Sequence, residues 1–241
     1  MAALLNNPAA AAYERRRLYL GVLEKLLAEP LAGSDVLDYG CGPSDWGVLL
    51  ATEGARVTLL DLSPVAVELG LRRARASGVE KRVRGVARDA SDLSCFHDGE
   101  FDLVFASASL HHTLKYEAAF AELVRVVKPG GKLMLAETYG NNPVLNAARR
   151  WRARMAREPA EQGEGIVLSD LEVGLLRRHF RHVEVSPLNL LAMAKRLFRG
   201  RFTSRSVRML VGLLERADSV LLAVWPALAR YCGEVIVVAV R

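Results

Sequence analysis

The stretch Val36-Leu37-Asp38-Tyr39-Gly40-Cys41-Gly42-Pro43-Ser44, followed later by Val57-Thr58-Leu59-Leu60-Asp61, decides the fold of this chain. Each apolar run ends in an acid, and two glycines one residue apart follow the first run. This pattern predicts a strand, a tight turn, a helix and a second strand. A Cβ at Gly40 or Gly42 would block either the turn or the approach of a ligand to the backbone N–H groups. The sequence therefore predicts an α/β fold with a nucleotide-type cofactor at the end of its first strand.

The residues around this turn distinguish between cofactors. Asp61 can accept hydrogen bonds from both hydroxyls of a ribose, which fits NAD and S-adenosylmethionine equally well. A dinucleotide-binding turn has a further glycine three residues after the second, where the helix N-terminus receives a pyrophosphate. Asp45 occupies that position and would repel the phosphates. Asp38 suits a cationic amino group and a sulfonium, so we expect S-adenosylmethionine rather than NAD.

Further motifs follow in a fixed order. Leu110-His111-His112 comes after a predicted fourth strand, and Lys128-Pro129-Gly130-Gly131 comes before a predicted fifth. With these motifs the chain resembles the Rossmann-like S-adenosylmethionine-dependent methyltransferases, in particular the small-molecule enzymes of the methyltransferase type 11-like group. The resemblance is close over 34–140 and holds in outline over 166–187 and 233–241. It implies an α/β fold with a seven-stranded, mostly parallel sheet flanked by helices, and S-adenosylhomocysteine as the product of the cofactor.

Hydrophobic periodicity and capping signals locate the elements. Strands three to seven are predicted at 83–90, 101–106, 131–137, 182–186 and 234–240, the last antiparallel to the others. Helices are predicted at 9–29, 45–53, 64–77, 115–127 and 170–180.

The resemblance implies roles for individual positions in cofactor binding. The methionine part would be lined by Asp38, Gly40, Cys41 and Gly42, the ribose and adenine by Asp61 and Leu62, and the adenine also by Asp89 and Ala90. Ser107 and Leu110 would lie near the transferred methyl group, and Tyr13 in the leading helix would fold over the cofactor. Cys41 is expected as a small packed residue rather than a redox centre.

Catalytic and acceptor-binding candidates follow the fourth and fifth strands. His111 and His112 are the candidate bases because imidazole titrates near neutrality, and a base is needed only where the acceptor must lose a proton. His111 is preferred as the pocket residue; the alternative for either histidine is a hydrogen bond that shapes the turn. Glu137, Tyr139 and Trp151 are candidates for the substrate pocket, with positioning of neighbouring loops as the alternative for the first two. No cluster of hard oxygen ligands follows the fourth strand, so no metal is expected.

The chain is expected to form a single methyltransferase domain over 1–241. Its core is predicted at 30–140, 166–187 and 233–241, with insertions at 141–165 and 188–232. Both insertions leave the carboxyl end of a parallel strand, where ligands bind in such sheets, so we expect a basic helical lid over the acceptor pocket. Residues 188–233 hold eight basic and two acidic residues, enough by themselves to give the net charge of +6 of the whole chain.

The lid helices are also amphipathic, and three interpretations follow. They pack on the sheet, they cap an amphipathic or anionic acceptor, or they contact an anionic membrane peripherally. Nucleic acid is disfavoured, because the basic segments offer few aromatic side chains and Ala106–Leu110 lacks the Asn/Asp-Pro-Pro-aromatic cluster of base-amino methyltransferases. The oligomeric state stays open.

Three scattered cysteines, without metal-ligand spacing, favour a reducing cytoplasm. Residues 1–12 lack the basic start of a secretory signal, and the uncharged run at 219–229 is too short to span a bilayer. We expect a cytoplasmic methyltransferase, with peripheral membrane contact as one alternative. Its acceptor is expected to be a small, amphipathic or anionic metabolite, such as a natural product or a lipid or glycan precursor, with O-methylation favoured. The alternatives are C-methylation of a quinone- or polyketide-like lipid, and a non-catalytic cofactor-binding scaffold subunit.

Overall fold

The computed structural model describes residues 5–113, 117–156 and 167–241. The chain divides into two compact units. The core unit comprises Lys25–Glu137, Leu171–Val185 and Val237–Arg241, and the insertion unit comprises Met1–Glu24, Thr138–Asp170 and Ser186–Ile236. Residues 157–165 of the first predicted insertion lie outside the described residues. The single domain over 1–241 and the lid over an acceptor pocket stay predictions.

A seven-stranded sheet forms the centre of the fold. Its strands are β1 (Asp35–Tyr39), β2 (Arg56–Asp61), β3 (Val83–Ala87), β4 (Phe101–Ser107), β5 (Val127–Thr138), β6 (His182–Leu188) and β7 (Glu234–Val240). Their order across the sheet is β3-β2-β1-β4-β5-β7-β6, and the pairs among β1 to β5 are parallel. Gly130 bonds to Arg241 and Tyr139 to Gly233, so β7 runs opposite to β5. The predicted mostly parallel sheet is confirmed.

The α-helices are α1 (Arg16–Leu26), α2 (Asp45–Thr52), α3 (Pro64–Ala76), α4 (Glu117–Val126), α5 (Pro143–Ala156), α6 (Asp170–His179) and α7 (Arg205–Val224). Five of the seven α-helices named here, α1 to α4 and α6, correspond to predicted helices, whereas α5 and α7 lie in the two insertions. The Ser63 hydroxyl accepts a hydrogen bond from the Ala66 N–H and Pro64 begins α3, as the capping signal predicts. The helix expected at 9–29 is shorter: a 3-10 turn precedes α1, and Pro30 disfavours helical backbone at Glu29.

Two strand boundaries also differ from the prediction. β3 ends at Ala87, because Asp89 turns its carboxylate onto the Ser91 N–H at 2.8 Å and closes a local turn. β5 begins at Val127 rather than 131, and its pairing with β4 shifts register there. The Lys128–Gly131 motif is therefore a bulge within β5, and Gly130 supplies the positive φ of +77°.

The insertion unit is organised around two buried acids. The Asp218 carboxylate on α7 accepts N–H bonds from Leu190, Leu191 and Ala192, which fixes the start of the 3-10 helix Leu191–Phe198. Glu234 is fully buried and pairs with the equally buried Lys195 at 2.8 Å. Among the described residues, no helix is both long and apolar enough to cross a membrane.

Candidate functional site

The site lies in the core unit, where the strand order reverses. β1 and β4 are neighbours in the middle of the sheet, and Tyr39 at the end of β1 lies beside Ala106 near the end of β4. From β1 the chain proceeds outward to β2 and from β4 it proceeds outward to β5 on the other side, and ligands of such sheets bind outside the carboxyl ends of the strands at this point of reversal. The glycine turn and the segment 108–113 therefore enter the same region.

The two glycines of the turn have different neighbours. Gly40 has a φ of +66°, and a Cβ there would overlap Ser109 Cβ and lie 2.9 Å from Ser109 Oγ. The Ser109 hydroxyl donates to the Tyr39 carbonyl at 2.6 Å, so the two segments are packed as tightly as backbone permits. Gly42 has a φ of +48°, and a Cβ there would meet nothing within 4 Å. Gly40 closes the turn against the protein, whereas Gly42 faces open space suited to a ligand.

Asp61 holds the turn from the end of β2. One carboxylate oxygen accepts the Gly42 N–H at 2.8 Å and the other accepts the Ser63 N–H at 2.9 Å. A carboxylate oxygen has two acceptor sites, so each retains one for a ribose hydroxyl. Leu62, next in the chain, is 71% exposed and offers an apolar surface beside it. The predicted pairing of these residues with a ribose and an adenine fits this geometry.

Asp38 is buried behind the same turn. Its Oδ2 has no hydrogen-bond partner among the described residues. Burial raises the pKa of this carboxyl to about 7; the Gly47 N–H opposes the rise, and the carboxylates of Asp61 and Asp45 add to it. An unpartnered oxygen in a negative environment fits a cationic amino group or a sulfonium, as S-adenosylmethionine carries.

Replacing Asp38 by asparagine is expected to change the pH dependence of stability. Because the folded-state pKa is raised, the folded protein binds more protons than the unfolded chain between about pH 4 and 7, and the free energy of unfolding falls as pH rises through that window. In Asp38→Asn the side chain at position 38 does not titrate, so the free energy of unfolding lacks this decrease. Urea unfolding of both ligand-free proteins should therefore show the variant gaining about 2–3 kcal/mol over wild type between pH 5 and 8. A difference that is constant with pH would contradict the raised pKa.

A buried glutamate organises the segment after β4. Glu137 at the end of β5 is fully buried; its Oε1 accepts the N–H groups of Ser109 and Leu110, each at 3.0 Å. Its Oε2 lies 2.8 Å from His111 Nδ1. Glu137 therefore positions the segment and the His111 ring. This geometry fits the second interpretation of Glu137, positioning of neighbouring loops, rather than a place in the substrate pocket. A proton on Nδ1 faces Glu137 and leaves the Nε2 lone pair of His111 for chemistry.

His112 lies beside this pair. The His111 and His112 rings are 4.1 Å apart between centroids, and His112 is the more exposed of the two. The ring that lies against the buried Glu137 carboxylate, at 2.8 Å through Nδ1, is that of His111. The geometry thus favours His111 over His112 as an oriented base.

Tyr39 was not predicted as a site residue. Its buried hydroxyl lies 2.7 Å from both the Ala90 carbonyl oxygen and the Thr113 hydroxyl oxygen, which joins the turn after β3 to the segment after β4. Burial raises the pKa of the hydroxyl to about 12, so it stays a neutral donor. The only sequence signal is a tyrosine immediately before the glycine turn.

The other predicted cofactor contacts of the core unit surround this frame. Leu110 is buried, Ser107 and Ala90 are half-buried, and Asp89 is exposed. Cys41 is buried, and burial raises the pKa of its thiol to about 12. The thiol is therefore protonated at neutral pH, which agrees with a packing role rather than a redox role. Within the described residues, no group of three or more His, Cys, Asp or Glu side chains could hold a metal.

Three predicted contacts lie in the insertion unit. The Tyr13 ring packs 5.5 Å from that of Phe202, and the Tyr139 hydroxyl donates to Asp170 at 2.5 Å. Trp151 on α5 is 67% exposed. Their roles toward cofactor and acceptor stay predictions.

Known proteins are similar in sequence to part of this chain. Residues 36–131 match the family model of a methyltransferase domain. The demethylmenaquinone methyltransferase of Clavibacter sepedonicus is 34% identical over 136 residues, which are 53% of this chain and 54% of that protein. A ubiquinone biosynthesis O-methyltransferase of Xanthomonas oryzae pv. oryzae is 39% identical over 108 residues, 44% of each chain. The chain spans about half the length of these curated relatives.

The fold also matches solved structures. Phosphoethanolamine N-methyltransferase 2 of Haemonchus contortus, in complex with S-adenosyl-L-methionine, superposes with a TM-score of 0.64 over 93% of this chain and 52% of that one. The two sequences are 19% identical, so the likeness is one of fold.

Proposed function

We propose that this chain, whose residues 36–131 match the family model of a methyltransferase domain, is an S-adenosylmethionine-dependent methyltransferase that acts on a small or amphipathic metabolite, with oxygen the favoured atom. The observation that carries this proposal is the contact between Glu137 and His111. His111 lies in the segment 108–113, which also packs against the glycine turn through Ser109. A turn that binds cofactor and an oriented imidazole are the two parts that methylation of a hydroxyl requires.

The core residues have distinct roles in binding. Asp38 would neutralise the cationic part of the cofactor, the open side of Gly42 would admit it to the backbone, and Asp61 would accept its ribose hydroxyls. The described geometry fits each of these roles: an unpartnered buried oxygen, an open Cβ direction and two free acceptor sites. When bound, S-adenosylmethionine supplies an electrophilic methyl carbon on a sulfonium.

His111 would act on the acceptor. Its Nδ1–H donates to Glu137, so Nε2 accepts the proton of the acceptor hydroxyl. Removal of that proton would leave the acceptor oxygen as the nucleophile for the methyl carbon that the bound cofactor would supply. Since Glu137 accepts two backbone N–H bonds as well, the imidazole is held by the same carboxylate that holds its own segment.

C-methylation of a quinone-like lipid is the second candidate. One relative is named as a demethylmenaquinone methyltransferase and another as an O-methyltransferase of ubiquinone biosynthesis. A phenolic ring activated by loss of its hydroxyl proton can be methylated at carbon or at oxygen, so the same base would serve both. Product analysis after transfer of a labelled methyl group separates the two, and a scaffold subunit would yield no product with any acceptor.

Asp61→Ala tests the cofactor site. Calorimetric titration with S-adenosylhomocysteine should show binding by wild type and none with NAD, because Asp45 disfavours a pyrophosphate. The variant should bind about 1–3 kcal/mol more weakly, since it loses acceptors for the ribose and for the Gly42 N–H.

Asp92→Ala is the matched control for this measurement. Asp92 is exposed and also accepts the N–H two residues ahead, from Ser94 at 3.0 Å, as Asp61 does from Ser63. Affinity should be unchanged in this variant. Equal affinity of Asp61→Ala and wild type would show that the ribose is bound elsewhere.

A further inference from the structure

Helix α7 exposes an apolar stripe. Met209, Leu213, Val220 and Val224 are each 59–64% exposed. Their spacing of four, seven and four residues places them on one helical face. The opposite face carries the buried Val211 and Asp218. The helix therefore exposes an apolar stripe in addition to the apolar residues on its inward side, which an ordinary surface helix does not do.

Helix α5 repeats this arrangement. Val144, Trp151 and Met155 are 67–74% exposed and lie seven and four residues apart, again on one face. The Asn142 side chain, just before α5, donates to the Tyr231 carbonyl at 2.8 Å. The start of α5 thus lies beside the end of the 3-10 helix Pro226–Tyr231 that follows α7. Two separate helices of the insertion unit expose apolar stripes.

Exposed arginines lie beside both apolar stripes, and no exposed acid of either helix does. Arg150 and Arg154 on α5 and Arg205 and Arg216 on α7 are exposed, and none has an ion pair to a described residue. α5 contains no acid at all. Neither acid of α7 contributes a free negative charge to the surface, because Asp218 is buried and Glu215 pairs with Arg16 at 2.6 Å. The exposed faces of both helices therefore combine apolar side chains with arginines, and the only charge on them is positive.

We propose that these two stripes and their edging arginines, the docking face, bind the surface of an anionic phospholipid bilayer. Apolar side chains enter the headgroup boundary while arginines meet lipid phosphates, which is the chemistry of interfacial helices. Exposed Trp225 directly after α7 and Trp151 on α5 are aromatic side chains typical of that depth. A second copy of the chain fits poorly, because a two-fold contact between these faces of α5 and α7 would set arginines against arginines, and neither helix offers an exposed unpaired acid. The inference does not depend on methyl transfer.

Sedimentation with vesicles tests the docking face. The full chain should bind vesicles of 70% phosphatidylcholine and 30% phosphatidylglycerol, and should bind pure phosphatidylcholine vesicles at least tenfold more weakly. Raising the salt to 0.5 M should weaken binding severalfold. Tryptophan emission should shift to the blue on binding, because Trp151 and Trp225 are exposed while Trp46 is buried already.

Paired variants locate the binding surface. Arg205→Gln/Arg216→Gln and Val220→Gln should each weaken binding to anionic vesicles at least fivefold. Val65→Gln on α3 is the matched control for Val220→Gln, since Val65 is 76% exposed on the core unit, and it should leave binding unchanged. Circular dichroism and thermal unfolding confirm that each variant is folded.

Three results would overturn the proposal. They are absence of binding to anionic vesicles, equal binding to neutral vesicles, and equal losses in Val65→Gln and Val220→Gln. Light scattering adds a fourth: a dimer of wild type that Val220→Gln dissociates would assign the face to self-association instead. S-adenosylhomocysteine titration is a separate readout, so failure of the docking face and failure of the proposed methyltransferase activity are distinguishable.

Discussion

His111→Ala is expected to lower turnover by about 10²–10⁴-fold while leaving the affinity for S-adenosylhomocysteine within about twofold of wild type. The imidazole is the group that would take the acceptor proton, and it is 13% exposed and oriented by Glu137. Nothing in the described bonds ties its side chain to the glycine turn. Turnover is measured with labelled methyl donor and the acceptor found by screening hydroxylated amphipathic compounds; affinity is measured by calorimetry.

Two variants separate catalysis from positioning. Glu137→Gln keeps an oxygen for the Ser109 and Leu110 N–H groups but presents an amide N–H to His111 Nδ1. That donor places the imidazole proton on Nε2, so the base is lost although the segment is retained. Turnover should fall about as far as in His111→Ala. His112→Ala should lower turnover less than tenfold.

An equal loss of turnover and cofactor affinity in His111→Ala would identify a residue that shapes the segment rather than a base. If His112→Ala caused the larger loss of turnover, the roles of the two histidines would be exchanged. If both variants retained full turnover, the acceptor would need no deprotonation by a histidine. This result is expected for methylation of a nitrogen or a stabilised carbon nucleophile.

The parts of the site that could be predicted from sequence are local in the chain. Gly40, Gly42 and Asp61 lie within one strand–turn–helix–strand unit, and the turn conformation itself demands the glycines. The orienting role of Glu137 is not local. Its partners lie 26 to 28 residues away, and their approach depends on the pairing of β4 with β5. Position at a strand end predicts only that Glu137 is near the site.

The contrast between local and non-local signals also explains which parts of the fold could be predicted. Apolar runs and the order of motifs predicted the strands of the parallel core, because burial on both faces leaves a strong signal. The end of β3 was misplaced because the Asp89 side chain competes with strand pairing by bonding to the Ser91 N–H. In the insertion unit, periodicity predicted amphipathic helices, but on α7 it did not predict the apolar side chains of Met209, Leu213 and Val220 that the helix exposes. Their exposure depends on which face the buried Asp218 and Val211 occupy.

Gly40→Ala is expected to destabilise the protein by about 3–6 kcal/mol and to abolish measurable S-adenosylhomocysteine binding. An alanine at φ +66° costs about 1–2 kcal/mol, and its Cβ would overlap Ser109 Cβ. Relief requires the segment after β4 to move, which adds an overpacking cost of about 1–3 kcal/mol and breaks the Ser109–Tyr39 hydrogen bond. Urea unfolding measures the stability and calorimetry the affinity.

Gly78→Ala separates the two causes of this loss. Gly78 has a similar φ of +70°, but a Cβ there would meet nothing within 4 Å, so this variant should show the backbone cost alone and normal affinity. Adding Ser109→Gly to Gly40→Ala removes the overlapping Cβ and should restore part of the stability and of the affinity. If Gly40→Ala cost no more than Gly78→Ala, the contact between the turn and Ser109 would be loose. The segment that carries His111 would then be held by the Tyr39–Thr113 and Glu137 hydrogen bonds rather than by the Ser109 contact with the turn.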